Sequence, residues 1–260
     1  MNTTSNGSRE VTAAGVPCTV ISAPGPAARP TVLFSNGLNS WREQARPPGL
    51  PENPISPPLV AGLLGAGYDV VVPEIPAHGD RRGPGSETAD QIAASLSGEG
   101  PDLLDLAVRE TPRIIDDLAA QGVIGDVHRV GVIGHSWGGL QSMLRMVGDS
   151  RVTCGIALIP IIDPVELDPF RSLRGRTSFS LSTLLARTLG GRPLLLLPGA
   201  LDEIAPASFV TALVDTLRTT APDAAAGLGY EVLPGLGHAY DERLLELSLD
   251  RLRRWLPTEA

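Results

Sequence analysis

Arg129-Val-Gly-Val-Ile-Gly-His-Ser136-Trp-Gly-Gly-Leu140 is the stretch that decides the fold. Val130, Val132 and Ile133 are apolar and β-branched, as a strand covered on both faces requires, and Gly134, Gly138 and Gly139 crowd the turn that follows. Ser136 stands at the apex of Gly134-His-Ser-Trp-Gly138, the G-x-S-x-G pattern of a nucleophile elbow. In such an elbow a strained backbone lifts the serine hydroxyl above the sheet edge, and a Cβ at the glycines would strike the neighbouring strand or helix. Residues 137–147 then read as a helix whose N-terminus lies beneath Ser136.

Outward from this stretch, composition narrows the possibilities. The chain has 260 residues, 42% of them hydrophobic, enough for one large domain with a full core. Its net charge of −8 comes with no basic stripe, so nucleic acid is not an expected partner. Residues 1–9 offer almost nothing to bury and are expected to be disordered. They also lack the basic and apolar regions of a secretory signal, and the longest apolar runs, such as residues 155–162, are too short to cross a bilayer. Cys18 and Cys154 lie in separate predicted strands, in no metal or redox spacing, and read as core thiols. A cytoplasmic protein without a membrane partner is the expectation.

Other strands end in chemistry-bearing loops. Thr31-Val-Leu-Phe-Ser35 runs into Asn36-Gly-Leu-Asn39 at the sheet's C-terminal edge, where open α/β sheets place ligands. Asp69-Val-Val-Val-Pro73 leads to Glu74-Ile-Pro-Ala-His78-Gly-Asp80-Arg-Arg82. Arg192-Pro-Leu-Leu-Leu-Leu-Pro198 leads to Gly199-Ala-Leu-Asp202-Glu-Ile-Ala-Pro206, and Tyr230-Glu-Val-Leu-Pro-Gly-Leu-Gly-His238 is a last strand and its exit, ahead of a helix over 241–256. Earlier strands are expected near 10–12 and 18–22, and a further one at 155–159. The spacing predicts a helix over 58–65, opened by Ser56 or Pro57, and one over 101–120, kinked or restarted at Pro112 with Thr111 as cap. Residues 83–100 read as a polar, glycine-rich loop, and the proline-rich 41–58 as one wall of the pocket.

Taken together, these segments resemble the α/β-hydrolase superfamily from about residue 30 to about residue 256. The pattern is most similar to small serine esterases and to prolyl-oligopeptidase-like or dienelactone-hydrolase-like members. The resemblance implies the α/β-hydrolase fold: a mostly parallel eight-stranded sheet with helices on both faces, and a small cap inserted at 161–192. It implies a serine hydrolase that cleaves an ester, thioester or related acyl bond of a small-molecule substrate, with no metal and no cofactor. Ser136, Asp202 and His238 follow one another in the order of that family's catalytic residues.

A serine hydroxyl is a poor nucleophile, so a neutral imidazole must take its proton during attack and return it to the leaving group, while a carboxylate fixes the imidazole's tautomer. Gly199-x-x-Asp202-x-x-x-Pro206 resembles the family's strand-seven pattern. If Asp202 only caps the next helix, Asp163 is the alternative acid. Among the histidines, His128 precedes its strand, His135 flanks the nucleophile and should point into the fold, and His78 shares a Pro-x-His-Gly-like turn with Asp80 on the active rim; only His238 follows the last strand. Two backbone N–H groups must meet the negative charge that develops on the substrate oxygen. In the family one belongs to the residue after the nucleophile, here Trp137; Leu38 is the candidate for the other, with Gly37 as the fallback and a plain β-turn as the alternative. Asn36 stands where the family usually has His. The same residues would serve a peptidase, lactonase, C–C bond hydrolase or acyltransferase, or a ligand-binding protein on a hydrolase scaffold. Oligomeric state and the identity of the acyl and leaving groups have no sequence signature.

Overall fold

Apolar strands that need cover on both faces organise the computed structural model, which describes residues 7–24, 29–40, 42–45, 55–177 and 179–258. The strands are β1 (Ser8–Ala13), β2 (Val16–Ile21), β3 (Thr31–Ser35), β4 (Asp69–Pro73), β5 (Val130–His135), β6 (Val152–Leu158), β7 (Leu194–Leu197) and β8 (Leu228–Tyr230). They form one eight-stranded sheet in the order β1-β2-β4-β3-β5-β6-β7-β8. β2 pairs antiparallel with β1 and β4, and every pairing from β4 to β8 is parallel. The mostly parallel eight-stranded sheet expected from the sequence is present. Its central strands have no solvent face: all of β3, β5 and β7 is buried.

Alternate residues of each strand feed two cores. Leu33, Val71 and Val132 pack with α3 (Leu103–Ala120) and α4 (Trp137–Gly148), through Ile114, Ile115, Leu140 and Leu144. Val32, Phe34, Val70 and Ile133 face the other way, against α1 (Ser56–Gly65) and α7 (Glu242–Trp255), through Leu59, Leu63, Leu244 and Leu252. Each strand thus carries its period-two alternation into two apolar layers, which explains why they read as continuous apolar runs. Cys18 and Cys154 are buried free thiols in these layers. No helix among the described residues is long and apolar enough to cross a membrane.

Several elements differ from the sequence reading. β1 begins at Ser8, because its ladder with β2 pairs Ser8 with Ile21 and Arg9 with Val20, so these two residues are not part of a disordered tail. Residues 88–97, expected in a loop, form helix α2 (Thr88–Ser97), ended by Gly98 at φ +78°. Its apolar face is only Ile92 and Leu96, too sparse a stripe to stand out in sequence. Pro112 neither breaks nor restarts α3, whose cap is Asp102, accepting from Leu104 and Asp105 N–H. Thr111 Oγ1 instead donates to Ala107 O at 2.9 Å. The Val108 carbonyl, which loses its helical donor to the proline, faces Gly148 of α4 so closely that a Cβ there would lie 2.3 Å from it. β8 ends at Tyr230, so His238 follows the strand by a longer loop than expected. The 161–192 connection folds as two short 3₁₀ turns, at Pro164–Glu166 and Asp168–Leu173, and helix α5 (Leu181–Thr188), and α6 (Ala207–Thr220) joins β7 to β8.

Candidate active site

Between β5 and α4 the chain reverses within a single residue. Ser136 has φ +57° and ψ −121°, a conformation that costs a non-glycine residue about 1–3 kcal/mol and persists only when its surroundings over-determine it. They do so here: a Cβ on Gly134 would lie 2.1 Å from Gly138 O, and one on Gly138 would lie 2.0 Å from Ser35 O. Ser136 N–H donates to Leu158 O at 2.9 Å, and Ser136 O accepts from Gly139 and Ile161 N–H. The turn is therefore clamped by three neighbouring segments, with its hydroxyl on the C-terminal edge of the sheet.

The structure brings the three predicted side chains together at that edge. His238 Nε2 lies 2.8 Å from Ser136 Oγ, and His238 Nδ1 lies 2.8 Å from Asp202 Oδ2. Oδ1 of the same carboxylate accepts from Ile204 N–H at 3.0 Å and Ala205 N–H at 2.8 Å, so the acid is held by backbone on one oxygen and faces the imidazole with the other. Its side chain is fully buried, whereas that of His238 remains 15% exposed. With Nδ1–H donated to the carboxylate, Nε2 is left to accept the serine proton.

Asp163 is placed elsewhere. It caps the first 3₁₀ turn of the 161–192 segment, accepting from Val165 N–H at 3.1 Å, and burial raises its pKa. His78 is buried, with Nδ1 2.9 Å from Pro76 O, and Asp80 is ion-paired with Arg42 at 2.9 Å. His128 lies in the connection that enters β5, at the opposite edge of the sheet.

The β3 exit loop forms the other wall. Leu38 lines the cavity above Ser136 and His238, and Trp137 opens α4 directly after the serine. Gly37 N–H, the fallback donor, is committed elsewhere: it donates to His135 Nε2 at 3.2 Å. Ser56 Oγ lies 2.8 Å from the same nitrogen, so Nε2 serves as acceptor for both. Sequence reasoning placed His135 inside the fold but missed this function of supporting the loop, and read Ser56 only as a residue that opens a helix. Burial first, then the nearby His238, pushes the His135 pKa down to about 3, which keeps the acceptor neutral. Gly37 is required here because a Cβ would lie 2.8 Å from His135 Cε1. The loop also contains a turn, with Ser40 N–H donating to Gly37 O at 3.3 Å and Asn39 at φ +62°.

The cavity has a volume of about 290 Å³ and is mostly apolar, walled by Leu38, Ile55, Ile161, Leu167 and Ile204. Ile204 and Leu201, on either side of Asp202, are well exposed, at 55% and 67%. Of the proline-rich segment expected to wall the pocket, Trp41 and residues 46–54 lie outside the described residues; Ile55, within the segment, and Ser40, just before it, line the cavity. Among the described residues no group of three or more His, Cys, Asp or Glu side chains is placed to hold a metal ion.

A family model described as the alpha/beta hydrolase family matches residues 32–259. Comparison with curated proteins finds no match. Among solved structures, the Thermus thermophilus protein TT1662 is 21% identical, with a TM-score of 0.71 over 98% of both chains. A Pyrococcus furiosus esterase is 18% identical, with a TM-score of 0.67 over 96% of this chain and 91% of its own. A puromycin-hydrolyzing peptidase of Mycobacterium tuberculosis is 17% identical, with a TM-score of 0.69 over 97% of this chain but only 40% of the peptidase.

Proposed function

The chain belongs to the alpha/beta hydrolase family, and from that premise we propose that it is a serine hydrolase that cleaves an ester, thioester or related acyl bond through an acyl-Ser136 intermediate. The observation that carries this reading is the unbroken series Ser136 Oγ, His238 Nε2, His238 Nδ1 and Asp202 Oδ2, with both of its hydrogen bonds 2.8 Å long. Such a series is already at proton-transfer distance before any substrate arrives.

In the first step Ser136 Oγ bonds to the substrate's carbonyl carbon while its proton passes to His238 Nε2. The carbonyl π pair moves onto oxygen, where Trp137 N–H and Leu38 N–H are the proposed donors. One such donor typically contributes about 3 kcal/mol to the transition state. Asp202 steadies the imidazolium without taking its proton. As the tetrahedral adduct collapses, the bond to the leaving group breaks and the proton on Nε2 goes to that group. Water then repeats the sequence: His238 takes its proton, its oxygen attacks the acyl carbon, and Ser136 leaves with the proton returned.

The experiment is covalent labelling by a fluorophosphonate together with turnover of p-nitrophenyl acetate. Wild type is expected to label at Ser136 and to hydrolyse the ester; Ser136→Ala, with an unchanged melting temperature, is expected to do neither. A folded wild type that neither labels nor turns over esters overturns the proposal in favour of a binding protein, and a variant that still turns over rules out the acyl-serine route.

A further inference from the structure

A second cavity, of about 590 Å³, lies over the β4 exit and shares the walls formed by Asn39 and Ser40 with the cavity above Ser136. Its character is different. Where the first is walled by aliphatic side chains, the second is lined by His78, Asp80, Arg82, Glu87 and Thr88. We propose that this second cavity is a subsite for a hydroxyl-bearing acyl arm of the substrate, an inference that rests on the serine-hydrolase reading above.

His78 provides the buried anchor. It is 1% exposed, and Nδ1 lies 2.9 Å from Pro76 O, a group that can only accept, so Nδ1 carries the hydrogen. Nε2 is then a bare acceptor, and it is buried with no hydrogen-bond partner among the described residues. Burial lowers the pKa of the ring to about 4, so Nε2 remains an acceptor at neutral pH. A buried acceptor without a partner is costly, and a ligand O–H supplies what it lacks.

The remaining lining selects among donors. Asp80 and Glu87 oppose a carboxylate, and Arg82, 3.5 Å from Glu87, opposes an ammonium group. Hydroxyl groups both donate and accept, so they pair with the carboxylates, the guanidinium, the Asn39 amide and the His78 nitrogen alike. Thr88 Oγ1 donates to Ala77 O, so its remaining hydrogen-bonding capacity is that of an acceptor.

Topology decides which arm of the substrate reaches this cavity. Asp202 and His238 come from the β7 and β8 exits, on one side of β5, whereas β4 lies beyond β3 on the other. The leaving oxygen must sit at His238 Nε2 to receive its proton. An arm that passes Asn39 and Ser40 to the β4 exit therefore departs from the scissile carbon on the side away from His238, as the acyl group does.

The test compares the methyl esters of gluconic and hexanoic acid, with methyl acetate as the reference for each protein. For wild type, kcat/KM for the gluconate ester is expected to exceed that for the hexanoate by about tenfold or more, as a site built to bond hydroxyls discriminates. Moving the hydroxyls to the alcohol, as in glyceryl hexanoate, is expected to give no such gain over methyl hexanoate. Glu87→Ala and Arg82→Ala, both at exposed side chains, are expected to cut the gluconate-to-hexanoate ratio by about fivefold each. Turnover of methyl acetate with a ratio of one or less, or a gain on the alcohol side only, overturns the subsite while leaving the serine-hydrolase reading standing. Failure to turn over any ester overturns that reading instead, and calorimetric titration with sorbitol then decides the cavity. Binding to wild type that Glu87→Ala weakens supports it, and no binding up to tens of millimolar overturns it.

Discussion

The two walls of the site are built from different materials. On the β7 and β8 side the groups proposed to work are side chains, Asp202 and His238, each fixed by hydrogen bonds that its own loop supplies or that join it to its partner. On the β3 side the group proposed to work is a backbone N–H, that of Leu38, which any residue could present. Its placement depends on partners far away in the chain: His135, 98 residues from Gly37, and Ser56, 79 residues from His135. Chemistry written in side chains announces itself by residue type; chemistry written in backbone is held by whatever packs behind it.

The largest effect expected on either wall is at the acid. Asp202→Asn keeps the shape and both backbone contacts of Oδ1 possible but favours the wrong imidazole tautomer, so kcat for p-nitrophenyl acetate should fall about 10⁴-fold with little change in melting temperature. A loss under tenfold would remove Asp202 from the proton relay.

Next comes the backbone wall. Gly37→Ala drives a methyl group against His135 Cε1, at 2.8 Å in the present geometry. Displacing the Leu38 N–H should lower kcat about 10²-fold, the scale of one lost oxyanion donor, with KM nearly unchanged. An unaltered kcat would mean that the β3 loop contributes no donor. His135→Leu tests the support behind that loop: it leaves Gly37 N–H without its acceptor and removes the contact of Nε2 with the Ser56 hydroxyl. It should cost about 2 kcal/mol of stability by urea denaturation and lower kcat about tenfold. His135→Gln offers an acceptor oxygen in place of Nε2 and should restore most of kcat; equal losses in both variants would show that the ring matters only as packing.

The smallest and most general expectation concerns pH. The folded protein holds His78 and His135 neutral, at pKa values of about 4 and about 3, while the unfolded chain protonates them near 6.5. Below pH 6.5 the unfolded state therefore binds more protons. The contribution of these two groups to stability is complete above that pH and is lost as pH falls toward their folded values. Each imidazole adds at most about 1.4 kcal/mol per pH unit to the slope. Urea midpoints at pH 7, 6 and 5 measure the slope, and His135→Gln should flatten it by one imidazole's share. An unchanged slope would mean that His135 carries its proton in the folded protein.

Much of the fold was legible because the central strands are apolar on both faces and punctuated by Gly and Pro. Strands β3, β4 and β7 fall where their apolar runs predicted them. The elements that escaped were those with weak patterns. Helix α2 buries only Thr88, Ile92 and Leu96, and α3 runs unbroken through Pro112 with its Val108 carbonyl set against Gly148 of α4. In the site, Ser136, Asp202 and His238 were legible as residue types in strand-exit contexts. Asp202 read ahead of Asp163 through its flanking Gly199 and Pro206, although both acids follow a strand and both accept backbone N–H bonds. The direction of the carboxylate separates them in space: Oδ2 of Asp202 points at His238 Nδ1.

By itself the sequence determined the sheet's central strands, the serine at the strained turn and the acid and imidazole that follow it, since alternation, glycine crowding and residue chemistry are local properties. The tertiary structure alone decided that Gly37 N–H is spent on His135, that Leu38 faces the apolar cavity, and that a polar cavity adjoins it over the β4 exit. Those outcomes are contacts between segments remote in the chain, set by strand order and by which side chain fills the space behind a loop. No local pattern encodes them.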